Sequence, residues 1–439
     1  MPFVPILNKP LSDRIRRLSI EGMWVVIGQV AAVAGALVSV RLLTEYLAPP
    51  EFGELALGLT LASLINQTVF GPLYNGISRF YAPAAEAGEL GGHLRAARGL
   101  VLGGTVVVAV ASVLLCAILL AMQRQQWLPI TLAALVFATV SGYNTVLTGV
   151  QNAARQRAVV ALHQGAEPWA RVAAAILFIL LLGAFSAAAL AGYVLASCGI
   201  LASQWWFLRR LRPARSDPAR AHHWRAQTLQ YAWPFAAWGI FYWAQSASDR
   251  WALGLLSGTA DVGLYAVLYQ LGYYPVSMAT GMAMQFLTPI FFARAGDATD
   301  SARSAGVTRL SGRLTLWSLL MTLVLGGLAF ALHAEVFRVF LAREYWSASA
   351  LLPWMVLGGG VFAAGQIIAL NLMSQLKTRT MMVAKIGTAV LGVVFNFAGA
   401  YWFGMRGVVF AGLAFSVVYL VWMAALQRSF VASAYRNGV

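Results

Sequence analysis

The sequence predicts an all-α integral membrane protein, with twelve transmembrane helices in two pseudo-symmetric six-helix bundles. Three observations carry this. The 439 residues are 60% hydrophobic and only 10% Asp, Glu, Lys or Arg, with a mean hydropathy of +0.72. A soluble domain has about 25% charged residues and no core able to hide that much apolar surface, whereas lipid accepts it. Apolar runs of about 20 residues, the length that crosses a bilayer, recur along the chain. Basic residues alternate between successive loops as the positive-inside rule requires.

The expected spans are 23–43, 52–73, 99–121, 127–148, 160–183 and 185–207, then 235–256, 262–286, 314–332, 351–373, 381–403 and 407–426. The fifth and seventh are weaker because they contain ionisable residues. With the N-terminus in the cytoplasm, 25 of the 31 Lys and Arg residues fall on inside segments. The six on the other side are Arg41, Arg124, Arg250, Arg338, Arg343 and Arg406. One missed span would invert half the loops and scramble this pattern. Topology therefore accounts for most of the net charge of +16, and nucleic-acid binding is not needed to explain it.

The first 22 residues are polar and basic and lack the apolar core of a cleavable leader. Leu11, Ile15 and Leu18 share a helical face with Arg14, Arg16 and Arg17 elsewhere, which reads as a short interfacial helix on an anionic leaflet. Cys116 and Cys198 lie in apolar runs without metal-ligand spacing and read as small packing hydrophobes. No metal and no cofactor is expected. The Gly358–Gly360 run lacks the Lys-Ser/Thr of a phosphate loop and sits in a span, so it reads as close helix packing.

The most polar loop, 209–225, with Pro213 and Pro218, divides the chain. It sets an N-terminal bundle at 1–207, a basic cytoplasmic linker at 208–230 and a C-terminal bundle at 231–439. The halves resemble each other. Arg41 is followed by Glu51-Phe52-Gly53, and Arg250 by Asp261-Val262-Gly263, with the glycine 12 and 13 residues after the arginine. Ala191-Gly192 and Ala411-Gly412 recur near the two ends. Six spans per repeat puts both repeats in one orientation, and transporters so built bind substrate between the halves.

The stretches "RLLTEYLAPPEFGELAL", "GISRFYAP", "SDRWALGLLSGTADVGLYAVLYQL", "LLPWMVLGGG" and "VVFNFAGAYWFGMRGVVFAG" occur in this order along the chain. In them the sequence resembles the Wzx-type polysaccharide flippases of the multidrug/oligosaccharidyl-lipid/polysaccharide exporter superfamily. The resemblance implies a MATE-like exporter fold and alternating access. It implies a cargo of undecaprenyl-diphosphate-linked oligosaccharide, such as an O-antigen unit, moved from the inner to the outer leaflet for polysaccharide biosynthesis. It places a multi-pass chain in the bacterial inner membrane with both termini cytoplasmic. Membrane lipid, H+ or Na+ and polysaccharide assembly proteins are the partners expected with it.

Such a cargo has an anionic diphosphate and polar sugars, which call for cations and amides lining a wet cavity. The basic candidates are Arg41, Arg79, Arg171, Arg250 and Lys385. Arg41, Arg79 and Lys385 lie near span ends, where snorkelling to the interface is the plain alternative. Arg171 lies deeper, with Glu167 four residues before it on the same helical face, an arrangement that serves a structural pair as well as a cavity. The resemblance favours the cavity. The internal repeat puts Arg41 and Arg250 in related positions, and with Arg171 they are expected to form a basic cavity between the bundles. Asp249 follows Gln245, Ser246 and Ser248 in an aromatic helix; with Glu167 it is the candidate for coupling or gating. The plain alternative is a helix-end ion pair, although neighbours on a helix point about 100° apart and Asp249 need not pair with Arg250. Ten amides fall within spans: Gln29, Asn66, Gln67, Asn144, Gln245, Gln270, Gln285, Gln366, Asn371 and Asn396. They serve either as interhelical bonds or as sugar contacts, and Asn144 is the one taken as substrate-binding. The chain has no Walker motif. A cation-coupled drug exporter of the same fold is the first rival, and the embedded charges lean basic rather than acidic against it. A membrane glycosyltransferase or polymerase is the second, but the longest outside loop, near 333–349, is short for one; no catalytic residue is assigned.

Overall fold

The structure is a computed structural model that describes the backbone of residues 11–209, 218–296 and 300–436. Every regular element among the described residues is helical. The first half contains α1 (Leu11–Tyr46), α2 (Pro49–Ile65), α3 (Gly71–Glu86), α4 (Leu90–Ala121), α5 (Leu128–Ala153), α6 (Arg157–Leu182) and α7 (Ser186–Leu208). The second contains α8 (Pro218–Leu256), α9 (Thr259–Leu268), α10 (Tyr274–Ala295), α11 (Ser301–Phe340), α12 (Leu352–Ser374) and α13 (Thr378–Arg436). In a bilayer the backbone must satisfy its own hydrogen bonds, and only a helix does so within one segment.

Ten described segments are long and apolar enough to cross a membrane. Two features account for the difference from twelve. Helix α13 is two helices joined at Gly404, whose φ of 55° and ψ of −138° lie outside the helical region. That conformation is open to glycine and strained for other residues, so the expected break between 403 and 407 is a backbone reversal. Helix α8 carries Gln245, Asp249 and Arg250 in its second half, which dilute its hydropathy although it is 39 residues long.

Both halves carry a widened helical turn, Asn66–Phe70 between α2 and α3 and Tyr269–Tyr273 between α9 and α10. In each, the backbone N–H after the turn reaches back five residues, from Gly71 to the Asn66 carbonyl and from Tyr274 to the Tyr269 carbonyl. Pro72 and Pro275 follow immediately. A proline has no N–H and its ring crowds the carbonyl four residues back, so the ladder opens there.

The chain divides into two units. One comprises Met1–Leu47 and Glu54–Trp243, the other Ala48–Gly53 and Ala244–Val439. In the first, small residues let helices approach: a Cβ on Gly28 would lie 2.8 Å from the Ala161 carbonyl, and one on Gly192 2.5 Å from the Ala175 backbone. Between helices in lipid the driving force is this close van der Waals contact, since the tails are as apolar as leucine. Outward faces remain apolar, as on α4 with Val106, Val110, Val113 and Ile118 exposed.

The start of α8 corrects the expected basic loop. Residues 210–217, with Arg210, Arg212 and Arg215, lie outside the described residues. From Pro218 the chain is helical and packed. Arg220 pairs with Glu89 at 2.7 Å. The Trp224 indole N–H donates to the same carboxylate at 3.0 Å, and the ring packs on Ala84 and Ala96. His222 and His223 are exposed. The expected short interfacial helix is likewise continuous with the first span in α1; the face assigned to Leu11, Ile15 and Leu18 lies outside the described side chains. Cys116 is half-buried and Cys198 is exposed rather than packed.

In the second unit, the two acidic–apolar–Gly motifs meet. A Cβ on Gly53 would fall 1.9 Å from the Thr259 carbonyl, and one on Gly263 2.0 Å from the Pro49 carbonyl. The backbones touch because both positions lack a side chain. Phe52 meets the Tyr345 ring edge-on at 5.9 Å, which anchors residues 48–53 here. Gly360 of α12 likewise packs against Thr322 of α11.

Candidate functional site

Within the first unit lies a cavity of about 470 Å³ whose lining comes from α2, the wide turn after it, α3, α5, α6 and α7. Its polar wall includes Asn66, Ser141, Asn144, Thr145, Thr148, Asn152, His163, Gln164, Glu167, Arg171 and Gln204. The sequence-predicted Arg171, Glu167 and Asn144 are therefore brought together on one cavity.

Helix α6 supplies the charged stripe. His163, Glu167 and Arg171 are spaced by four residues and share a face. The Arg171 Nη2 donates to Glu167 Oε1. The guanidinium also lies 4.8 Å from the Phe137 ring centre and 5.8 Å from that of Tyr193, a cation–π arrangement that holds it in place. Pro168 follows Glu167 and removes the N–H that would bond the Gln164 carbonyl, so the backbone presents an acceptor beside the stripe. His163 Nδ1 lies 2.8 Å from the Val159 carbonyl and Nε2 3.0 Å from Ser203 Oγ. A carbonyl only accepts, so Nδ1 carries the proton and Nε2 accepts from the serine.

The amides are anchored through their nitrogens. Asn144 Nδ2 donates to the Ser197 carbonyl at 3.0 Å, and Asn66 Nδ2 to the Ala62 carbonyl at 3.2 Å and to Ser141 Oγ at 3.2 Å. Gln204 Nε2 donates to Thr148 Oγ1 at 3.2 Å. Asn144 is 5% exposed and Gln204 2% exposed. Sequence reasoning missed His163 and Gln204. The four-residue spacing from His163 to Glu167 was the available signal for the first; Gln204 sits at a span end with no local signal.

The second unit holds a separate polar cluster. Asp249, 7% exposed, accepts from the Tyr265 hydroxyl at 2.8 Å through Oδ2. Its Oδ1 takes the Arg250 backbone N–H at 2.7 Å and lies 3.5 Å from Arg250 Nη1. Despite the angular offset of neighbouring helical residues, the two side chains do meet. Arg250 also donates to the Ser246 carbonyl at 3.3 Å and lies 4.3 Å from the Tyr269 ring centre. The wide turn Tyr269–Tyr273 presents that ring and stacks it on Tyr273 at 5.0 Å. Ser248 accepts from Asn396 at 2.9 Å.

None of the remaining candidates is among the residues lining the cavity. Arg41 pairs with Glu45 one turn along α1, and both are substantially exposed. Arg79 is exposed, 6.0 Å from the Phe80 ring centre. Lys385 is half-buried on α13. Gln366 accepts from the Tyr419 hydroxyl at 3.1 Å, so this amide serves as an interhelical bond. Among the described residues, no three His, Cys, Asp or Glu side chains converge as metal ligands.

The family described as "Polysaccharide biosynthesis protein" matches residues 21–294. No curated protein matches the chain by sequence. Among solved structures, the chain is similar to an inward-facing multidrug resistance MATE family transporter of the MOP superfamily. The TM-score is 0.72 at 10% identity, over 94% of this chain and all of that one. It is similar to the lipid II flippase MurJ in an inward closed conformation, with a TM-score of 0.68 at 10% identity over 91% of this chain and 86% of that one. An outward-facing MATE family transporter gives 0.57 at 12% identity, over 94% of each chain. At these identities the likeness establishes the fold: a MATE-like, all-α membrane architecture.

Proposed function

The chain belongs to the polysaccharide biosynthesis protein family, and from that premise we propose that it flips an undecaprenyl-diphosphate-linked oligosaccharide from the inner to the outer leaflet of the bacterial inner membrane. Family membership is the observation that carries this reading, because solved drug transporters and a solved lipid flippase share the fold and the fold does not separate them. The polar cavity among the helices of the first unit supports it. A charged or amide side chain in a span is costly unless it faces water, a partner or cargo, and here Arg171, Glu167 and Asn144 share one wall.

In this reading both termini are cytoplasmic and the two six-helix halves alternate access. The polar head of the cargo is held by Arg171, Arg250 and Asn144 and by the span-end cations Arg41, Arg79 and Lys385, while the tail stays in lipid. Asp249 and Glu167 serve in coupling or gating with H+ or Na+. Asp249 is a buried acid with a fixed tyrosine donor, the kind of group whose charge state a conformational change can exploit. The chain performs no bond chemistry of its own.

The test is deletion of the protein in its host. Surface polysaccharide should disappear, its lipid-linked precursor should accumulate on the inner leaflet, and the intact chain should restore export. Normal surface polysaccharide in the deletion strain, with a gain in sensitivity to cationic drugs, would overturn the flippase in favour of an exporter.

A further inference from the structure

Among the described residues lining the cavity of the first unit, four buried polar atoms have no hydrogen-bond partner. They are Asn66 Oδ1, Asn144 Oδ1, Gln204 Oε1 and Arg171 Nε. Three are acceptors and one is a donor. The imbalance has a structural cause. Each amide spends its nitrogen within the bundle: Asn144 on the Ser197 carbonyl of a neighbouring helix, Asn66 on the Ala62 carbonyl one turn back and on Ser141 Oγ, and Gln204 on Thr148 Oγ1; a carbonyl can only accept. For Asn66 and Asn144 the oxygens are therefore the atoms left over, and these two amides cannot turn around without losing their carbonyl bonds. Glu167 adds a carboxylate, an acceptor with about four lone-pair sites, of which Arg171 engages one oxygen.

Buried polar groups are normally paired, and each exception asks for a partner. A diphosphate offers only acceptor oxygens. It would satisfy Arg171 Nε and meet repulsion from the fixed Asn66 and Asn144 oxygens and from the carboxylate, and the charge of Arg171 is already compensated by Glu167. A bare cation would be coordinated by the amide oxygens and the carboxylate, but it would leave the donor Arg171 Nε unpaired and would sit beside the guanidinium charge. A sugar hydroxyl both donates and accepts. It can give its proton to the amide oxygens and take one from Arg171 Nε. The volume, about 470 Å³, is within the 300–1,000 Å³ typical of small-ligand sites.

We infer that this cavity is a saccharide subsite: it reads hydroxyl groups of the glycan with Asn66, Asn144, Gln204 and Glu167, and it does not hold the diphosphate. The inference rests on the flippase reading and divides its cargo chemically. The Glu167–Arg171 pair becomes part of the sugar-reading wall, with Arg171 held on Phe137 as a neutralised donor.

The experiment uses the full chain in lipid nanodiscs with three probes. They are the lipid-linked oligosaccharide extracted from the host, the oligosaccharide freed from that lipid by mild acid, and undecaprenyl diphosphate without sugar. Two variants are compared with wild type for affinity and for folded amount. Glu167→Gln is nearly isosteric and removes the charged acceptor; Asn144→Leu removes an anchored amide. Both should weaken the freed and the lipid-linked glycan about tenfold, with sugar-free undecaprenyl diphosphate unchanged. Should Asn144→Leu fail to fold, Glu167→Gln decides alone. Tighter binding of sugar-free undecaprenyl diphosphate by Glu167→Gln would show that freeing Arg171 creates a phosphate site, and the subsite assignment would fall. It falls equally if the freed glycan binds wild type and Glu167→Gln alike, or does not bind wild type in a host whose export depends on the protein. If no probe binds and deletion leaves export intact, the flippase reading itself is what fails.

Discussion

Replacing Asp249 by Asn tests whether the cluster in the second unit stabilises the fold, drives transport, or does both. The substitution keeps the shape and one acceptor oxygen but removes the charge. The Tyr265 hydroxyl donates to Asp249 at 2.8 Å. A hydrogen bond to a charged acceptor contributes about 1.5–3 kcal/mol and one to a neutral acceptor about 0.5–1.5, so roughly 1 kcal/mol is lost there. Arg250, with its side chain 13% exposed, loses its only carboxylate within 4 Å among the described residues. Stranding a fully buried partner costs about 3–5 kcal/mol. Here the contact is 3.5 Å long, and the guanidinium keeps the Ser246 carbonyl and the Tyr269 ring, which brings the cost to about 1–2 kcal/mol. The sum, about 2–3 kcal/mol, corresponds for a chain of 439 residues to a Tm lower by roughly 2–3 °C. Size-exclusion chromatography of heated, detergent-purified protein reads this directly. Tyr265→Phe removes that bond entirely and should cost about 1.5–3 kcal/mol, and the double variant should cost less than the sum of the two single changes, because they share the bond. An Asp249→Asn protein that melts with wild type, or a double variant whose losses add in full, would refute the reasoning. Transport by a folded Asp249→Asn protein with unchanged rate and unchanged H+ and Na+ dependence would return Asp249 to a purely structural role.

Gly53→Ala should lower the melting temperature, since its Cβ would fall 1.9 Å from the Thr259 carbonyl and overpacking costs about 1–3 kcal/mol. Gly103→Ala, with nothing within 4 Å, should leave it unchanged or raise it, and equal melting of the two variants would contradict the packing argument. Export should fall in the order wild type, Arg171→Lys, Arg171→Ala at equal protein level, since Lys keeps the charge but loses the planar fork on Phe137. Rescue of Arg171→Ala protein amount by a second change at Glu167 would instead mark the pair as merely structural. A reporter inserted at 210–217 should be cytoplasmic and one beside Arg343 outside, as accessibility labelling can read; the reverse result would sink the topology.

Much of this molecule follows from the sequence by addition along the chain. Hydropathy and charge sum locally, so the helical membrane class, most spans and the two-half plan are legible from apolar runs and the placement of arginines. Even the break near Gly404 shows as a gap between runs. The motif pair around Gly53 and Gly263 was legible as a repeat. That the two meet backbone to backbone was not, because contact depends on how helices cross. The sites divide in the same way. Arg171, Glu167, Asn144 and Asp249 stand out as polar residues in apolar helices, for the physical reason that burying them is costly. Their partners do not. Tyr265 reaches Asp249 from 16 residues away and the Ser197 carbonyl reaches Asn144 from 53. No local pattern marks Gln204. Which end of each amide is consumed by a neighbouring helix, and so which end is left for a ligand, depends on rotamers and helix separation. Those are set only when the bundle packs, and they turn a list of polar residues into a wall of acceptors.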